Sequence, residues 1–381
     1  MDAPTLTGPD DADVHLVLRP HGFADVDAVT ELCQDPETAA RTRVPVPYTR
    51  ADAERFVRER AERWADGTEL TFAIDAACAD DEAGGALRYA GNLALRPAGG
   101  AVEVGFALSP WARGRGIMSD ALRTALRWAF DELDCYVVHW QAHADNWASR
   151  RVAWACGFRV EGTVRGLLEA RGERHDGWIG SLVRGEQLAP AHPWLEAPVI
   201  AGPQVVLRPW REDDAPRVVE ACNDPDSQRW LPNLPSPYTL ADAQWYIRSR
   251  EEEHAGGTAV YWCVADPTDD RCLASVGLMG LAGPGPRNEI GYWAHPDARG
   301  RGVMTEAVRL ALRHAVVPVL DGGLGLARVT LRAATGNTAS NRVAQRAGFT
   351  AAGRARHVDA HDDGTFDDLQ LYDALPDEVL A

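Results

Sequence analysis

"PWARGRGIMSDALRTAL" occupies residues 110–126, and "PDARGRGVMTEAVRLAL" occupies residues 296–312. Each begins with proline, carries an R-G-R-G cluster, and runs on into a segment with one apolar face. In the first, Met118, Ala121, Leu122, Ala125, Leu126, Ala129 and Phe130 recur at helical spacing. An offset of 186 turns these into Met304, Ala307, Val308, Ala311, Leu312, Ala315 and Val316, again all apolar. Each cluster therefore opens an amphipathic helix, and the chain writes the same unit twice.

The duplication extends outward from this pair. "LVLRP" at 16–20 returns as "VVLRP" at 205–209, "DPET" at 35–38 as "DPDS" at 224–227, and "PYTRADA" at 47–53 as "PYTLADA" at 237–243. "EVGFALSP" at 103–110 pairs with "EIGYWAHP" at 289–296, and "NWASRRVAWACGF" at 146–158 with "NTASNRVAQRAGF" at 337–349. The offset rises from 186 to 191 between the last two pairs, which places five extra residues after Pro318, in a longer helix-to-strand loop. A period this long means two copies of one domain and not a solenoid. The four prolines of GEQLAPAHPWLEAPVIAGPQ interrupt any periodicity between them. We expect an N-terminal domain at 1–187, a linker at 188–203 and a C-terminal domain at 204–381.

Within the first copy, 16–19 reads as a strand, and 25–33 and 49–64 read as helices. The second of these is opened by a Thr49 and Asp52 pair at capping-box spacing. Strand-like runs follow at 70–76, 87–95 and 102–108, then the R-G-R-G helix, a strand at 136–142, a helix near 147–155 and two last strands. The expected class is α/β, with an α+β mixed sheet in each of two tandem copies.

Composition narrows the chemistry. The 381 residues carry a net charge of −17, which disfavours nucleic acid and suits a cationic substrate. All 39 basic residues are arginine, so no lysine is present for a Schiff base, a P-loop or a kinase site. Seven cysteines without C-x-x-C spacing suit reduced thiols and no zinc site. The acidic start MDAPTLTGPDDADVH has no apolar signal core, and no stretch reaches the roughly 18 apolar residues of a membrane span. A cytoplasmic protein with no membrane partner is expected.

Strand, glycine-rich turn and helix together aim unpaired helix N-terminal amides, and the positive end of the helix dipole, at an anion. Gly114 and Gly116 admit close approach, while Arg113 and Arg115 offer fork-shaped donors, so the cluster reads as a phosphate cradle. A plain tight turn with solvated arginines is the bland alternative, and its recurrence in two diverged copies argues against it. A Rossmann turn is a second rival, but Ser119 stands where its third glycine belongs, and the turn follows the fourth strand instead of the first.

With these motifs in hand, the sequence resembles the GNAT acetyltransferases, especially the ribosomal-protein-alanine-acetyltransferase-like branch. The resemblance rests on [LV]-x-L-R-P, E-[VI]-G-[FY], A-R-G-R-G and N-x-x-S-x-R-V-A-x-x-x-G-F, and covers most of both copies. It implies acetyl-CoA as cofactor, with its diphosphate held by the amides of Arg113, Gly114, Arg115, Gly116, Ile117, Met118 and Ser119. The matching set in the second copy is Arg299, Gly300, Arg301, Gly302, Val303, Met304 and Thr305. It also implies a fourth strand splayed from the fifth, pairing with pantetheine through Phe106, Ala107 and Leu108, or through Tyr292, Trp293 and Ala294. The family usually has Gly or Ala where this chain has Met118 and Met304; only the amide is needed there.

Acyl transfer to an amine needs a proton acceptor, an oxyanion donor and help for the departing thiolate. Glu103 and Glu289, at the start of the fourth strand, are the base candidates, acting through water; capping the sheet or pairing with arginine is the competing reading. His295, Asp176 and Asp368 are weaker candidates. The tyrosine many family members use against the thiolate falls on Ala153 and Ala344 here, and the resemblance moves that role to Ser149 and Ser340, with helix packing as the alternative. Asn146 and Asn337 would bond pantetheine, cap the helix, or do both. His139 and His143 share a strand face without a third ligand, so no metal site is expected. Specificity is placed between the first two helices, where Trp230, Leu231 and Leu234 make the second copy more apolar.

The expected function is transfer of acetyl from acetyl-CoA to a primary amine of a small molecule, in specialised, antibiotic-type biosynthesis or resistance. The second copy lies closer to the family pattern and is favoured as the catalytic one. Alternatives are a protein N-terminal acetyltransferase and a non-catalytic acyl-CoA-binding regulatory module. The partner expected is a small-molecule amine, and a homodimer is compatible with it.

Overall fold

The computed structural model describes residues 3–8, 14–78, 85–231, 233–282, 287–360 and 364–381. Backbone packing divides the chain into residues 1–191 and 192–381. The first unit runs β1 (Leu6–Thr7), β2 (Val14–Pro20), α1 (Val26–Gln34), α2 (Pro36–Arg41), α3 (Arg50–Asp66), β3 (Leu70–Cys78), β4 (Arg88–Ala98) and β5 (Ala101–Leu108). It continues through α4 (Ile117–Glu132), β6 (Val137–His143), α5 (Trp147–Ala155), β7 (Arg159–Ala170) and β8 (Glu173–Val183). Its strands form one mixed sheet in the order β1-β2-β3-β4-β5-β6-β8-β7, antiparallel everywhere except between β5 and β6.

The second unit repeats this plan with β9 (Ile200–Ala201), β10 (Val206–Arg208), α6 (Ala215–Cys222), α7 (Pro225–Trp230), α8 (Leu240–Ala255), β11 (Ala259–Ala265), β12 (Cys272–Met279) and β13 (Glu289–Ala294). α9 (Val303–Val316), β14 (Val329–Ala334), α10 (Thr338–Ala347), β15 (Thr350–Ala360), β16 (Phe366–Ala374) and α11 (Pro376–Leu380) complete it. The sheet order is β15-β16-β14-β13-β12-β11-β10-β9, with β13 and β14 its one parallel pair.

Each helix has a local cause. Thr49 and Thr239 cap α3 and α8 by accepting from the Asp52 and Asp242 amides, and both aspartates return a bond to the cap amide. The apolar stripe of α4 is buried from Ile117 to Ala129 against the sheet, and that of α9 from Val303 to Val316. Each large side chain in these stripes contributes about 1.5–3 kcal/mol by leaving water. β3 is buried along both faces, so helices must cover the sheet on either side. Leu70, Phe72 and Ile74 join α4 in the main core, while Val26, Val29, Tyr48, Ala53 and Val57 form a smaller cluster joining α1 to α3.

The proline-rich connector is not bare chain. Leu188 packs on the first core, and Leu195, Ala197 and Ile200 pack on the second. Its Ile200 and Ala201 form β9, because the outer edge of β10 needs backbone partners that proline-poor IA can supply. The extra residues of the second copy form a loop after α9, where Val319 and Leu320 are exposed.

The arginine of L-R-P belongs to the fold. Arg19 forks onto Asp25, with bonds of 2.8 and 2.7 Å, and also reaches Asp75. Arg208 forks onto Asp214 at 2.8 Å twice, with both side chains 5% exposed, and reaches Asp270. Burial pushes the Asp25 carboxyl up, but bonds from Arg19 and the Gly22 amide outweigh it and hold the carboxyl below its usual 3.8. A depressed folded pKa contributes stability above the unfolded value and loses it as pH falls through the folded one. Urea melts of the first unit should therefore weaken as pH drops below about 4, and Asp25→Asn should flatten that part of the pH profile while lowering neutral stability.

All seven cysteines are unpaired and buried. Among the described residues no helix is long and apolar enough to cross a membrane.

Candidate active site

The one parallel ladder in each sheet is short. β5 and β6 are in register from Ala101 and Val137 to Val104 and Trp140, and β5 then runs four residues further to Leu108. β13 and β14 are in register only at Glu289 and Thr330. Beyond these points the strands part, and one edge of Gly105–Leu108 and of Ile290–Ala294 faces a wedge instead of a neighbouring strand.

The R-G-R-G turn closes the wide end of each wedge. Gly116 and Gly302 are the N-cap residues of α4 and α9 at φ 78° and 84°, and Gly114 and Gly300 sit at φ 73°. This left-handed backbone suits glycine, and a Cβ built on Gly114, Gly116 or Gly300 would meet nothing within 4 Å. The space over the turn is open. The helical ladder begins with the Asp120 amide donating to the Gly116 carbonyl, and the Glu306 amide to Gly302, both at 3.1 Å. The amides before them, those of Ile117, Met118 and Ser119 and of Val303, Met304 and Thr305, have no partner within their helices. The Met118 and Met304 side chains are buried in the two cores, so they add nothing over the cradle.

The arginines divide into two kinds. Arg113 donates to Asp35 at 2.5 Å, Glu37 at 2.7 Å and Thr38 at 3.0 Å; Arg299 donates to Asp224 at 2.5 Å, Asp226 at 3.1 Å and Ser227 at 3.1 Å. Their forks are filled by the N-terminal turns of α2 and α7, so the expectation that the Arg113 side chain adds a phosphate donor is corrected. Asp35 and Asp224 also cap those helices through the Thr38 and Ser227 amides. Burial raises both carboxyls, but arginine and the cap amides outweigh it and hold them low. Two motifs that the sequence repeats separately, D-P-x-[TS] and A-R-G-R-G, thus meet in space. That shared repetition was the available signal. Arg115 and Arg301 remain exposed beside the turn, Arg301 touching the Asp297 carbonyl at 3.5 Å.

Glu103 and Glu289 lie at the apex of each wedge, and each is engaged by arginine. Arg96 reaches Glu103 at 3.3 Å, and Arg332 Nε lies 3.0 Å from both Glu289 oxygens. Asp176 and Asp368 are not directed to the wedge. They accept from the Gly166 and His357 amides at bulges of the β7–β8 and β15–β16 hairpins, supplying the partner that an irregular ladder omits. His295 is buried at a turn, accepting from the Asp297 amide and facing Glu220.

Asn146 and Asn337 cap α5 and α10 by accepting from the Ser149 and Ser340 amides at 3.1 and 3.0 Å. Ser149 Oγ accepts from Trp140, and Ser340 Oγ meets the Tyr292 hydroxyl. The Tyr292 side chain was not anticipated; the Phe106 to Tyr292 exchange between the copies was the only sign of it. His143 packs on His175 with ring centroids 5.1 Å apart; burial and that neighbour lower its pKa. His139, in contrast, lies opposite Ser181. Asp214, Cys263 and Cys272 converge within 4.8 Å, but Asp214 already holds Arg208 with both oxygens, a donor set ill suited to a cation.

Near the wedge mouth, α2 reaches toward the far wall through an Arg41 bond to Asp145, and Arg171 bonds the Ala39 carbonyl. α7 does so through Arg229 and Asp367 at 3.0 Å, and Trp230 lies against Gly336. Leu231 is half-buried at the C-cap of α7, and Leu234 joins the cluster of α6 and α8.

A split parallel pair leading to a glycine-opened helix start, present in both units, defines an acyl-CoA N-acyltransferase architecture. The chain belongs to the GNAT acetyltransferase family: the model for an acetyltransferase (GNAT) domain matches residues 15–159 and again residues 204–350. It is 33% identical over 110 residues to the putative ribosomal N-acetyltransferase YdaF of Bacillus subtilis (strain 168), a match covering 29% of this chain and 57% of that protein. The chain thus spans little more than half the length of the curated relative it matches. Among solved structures it is similar to Mycobacterium smegmatis RimJ in complex with CoA-disulfide, at 19% identity over 48% of this chain and 88% of that one, TM-score 0.41. It is also similar to the ribosomal L7/L12 α-N-protein acetyltransferase RimL in complex with coenzyme A, at 21% identity over 46% and 97%, TM-score 0.40.

Acetyl-CoA, the acetyl donor of this family, fits what each unit offers: free amides and open space for a diphosphate, and an unladdered strand edge for an amide-bearing arm.

Proposed function

We propose that the chain is an acetyl-CoA-dependent N-acetyltransferase whose acceptor is the α-amino group of a protein. The observation that carries the transferase reading is the doubled wedge and cradle, in a chain whose two halves both match the GNAT domain. The protein acceptor is supported by the relative named for ribosomal N-acetylation and by charge. The chain carries a net charge of −17. Such an excess of negative charge draws in a basic polypeptide N-terminus by steering and local concentration. These points favour the protein over the small-molecule amine expected from the sequence, and no feature of either unit singles out an antibiotic-type substrate.

In this reading, cradle amides hold the diphosphate, and the free edge of β5 or β13 aligns the pantetheine arm. Bound acetyl-CoA supplies an activated thioester. Glu103 and Glu289 take the amine proton through water, and a strand amide at the wedge faces the oxyanion. Ser149 and Ser340 stand at the thiolate. A cytoplasmic location goes with this assignment.

Thiol release from acetyl-CoA tests it. Basic peptides with a free α-amine should support turnover at least about tenfold above the same peptides with a blocked terminus. Release with small amines alone would overturn the acceptor assignment. CoA binding without release for any amine would instead mark a regulatory module.

A further inference from the structure

A serine in the first turn of a helix ordinarily bonds nearby backbone or solvent. Ser149 and Ser340 are both half-buried, and each is met by a side chain from a strand. In the first unit Trp140, fully buried on β6, donates Nε1–H to Ser149 Oγ at 2.9 Å. An indole N–H only donates, so this bond uses a serine lone pair and leaves the serine proton to point elsewhere. In the second unit the residue matching Trp140 is Leu331, which has no donor. The partner there comes from the other wall of the wedge. Tyr292 on β13 places its hydroxyl 2.9 Å from Ser340 Oγ and 3.2 Å from the Ser340 carbonyl. In the first unit that position is Phe106, which cannot reach out with a proton.

Two diverged copies therefore bring a hydrogen-bonding side chain to the same serine oxygen by different residues on opposite strands. Helix packing alone needs no such partner. We propose that Trp140 and Tyr292 are positioning residues that make Ser149 and Ser340 hydrogen-bond donors to the sulfur of bound coenzyme A. This rests on the acetyl-CoA-binding assignment above. Burial pushes the Tyr292 hydroxyl up to about 12, so it keeps its proton near neutral pH.

In the transfer step the amine nitrogen forms a bond to the acetyl carbon and the carbon–sulfur bond breaks. The electron pair leaves with sulfur. The serine hydroxyl steadies that thiolate without surrendering its proton; the thiolate is protonated by water, and the amine proton passes through water to Glu103 or Glu289.

The test uses CoA alone, titrated against pH by thiolate absorbance and corrected with the desulfo-CoA complex. Ser149→Ala serves as the parent, so that only the second unit contributes a shift. A hydrogen bond to a charged sulfur should lower the bound thiol's pKa by about one unit. Ser340→Ala and Tyr292→Phe should each return it toward that of free CoA, with CoA affinity for the reduced thiol nearly unchanged. Tyr292 is half-buried and Phe106 already fills its place in the first unit, so Tyr292→Phe is expected to fold. A thiol that titrates identically in the parent and in Tyr292→Phe, with CoA bound to both, overturns the positioning role alone. No CoA binding by the parent overturns the coenzyme assignment with it.

Discussion

Gly300→Asp is expected to raise the dissociation constant for CoA at the second unit by more than about 100-fold while the protein stays folded. Gly300 lies at φ 73° with nothing within 4 Å of a built Cβ, and aspartate is among the side chains that tolerate this backbone. The substitution therefore adds a charge where the diphosphate belongs and disturbs little else. One like charge about 4 Å from a phosphate costs about 4 kcal/mol at the effective permittivity of a protein surface, and screening leaves enough for the predicted loss. Gly300→Asn keeps the shape without the charge and should weaken binding by less than about tenfold. Calorimetric stoichiometry separates the copies, since Gly114→Asp should remove the other site. Equal affinities for the Asp and Asn variants would mean that no phosphate approaches the turn.

Arg208→Met is expected to be the most destabilising single change in the second unit. It leaves Asp214 buried beside the thiols of Cys263 and Cys272, with its guanidinium gone. Removing one partner of a buried pair costs about 3–5 kcal/mol, because the remaining charge stays uncompensated. For a unit of this size that corresponds to a fall in Tm of roughly 10 °C. Adding Asp214→Leu should restore most of the loss, since a buried pair replaced by apolar side chains is often neutral. A double variant no more stable than Arg208→Met would show that Arg208 acts through Asp270 instead.

The contrast between these two sites explains what could be read in advance. Helix starts, the wedge-forming strands and the glycine turns were legible because each depends on local chemistry: glycines that admit φ near 75°, Thr49 with Asp52, and an apolar stripe from Met118 onward. Repetition then doubled every signal. Roles set by contact across the sheet were not legible. Arg113 and Arg115 look alike in sequence, yet the first is captured by Asp35, 78 residues away. Asp176 and Asp368 stand among candidate bases by residue type, and only the hairpin bulges reveal them as amide acceptors. α2 and α7 escaped because six residues carry too little periodicity to register, though Asp35-Pro36 and Asp224-Pro225 are sound helix openings. Tyr292 could be flagged only by comparing the copies, since a tyrosine following glycine on a strand has no spacing of its own.

The buried cysteines bear on how any of this chemistry can be watched. Burial pushes the Cys33, Cys156 and Cys222 thiols up to about 11, 12 and 12, so they stay protonated at the pH of an assay. With all seven sulfurs enclosed, a disulfide dye added to the folded protein finds almost nothing to react with. Liberated coenzyme is then the sole fast-reacting sulfur in the cuvette, and a rising dye signal counts turnovers without a protein background.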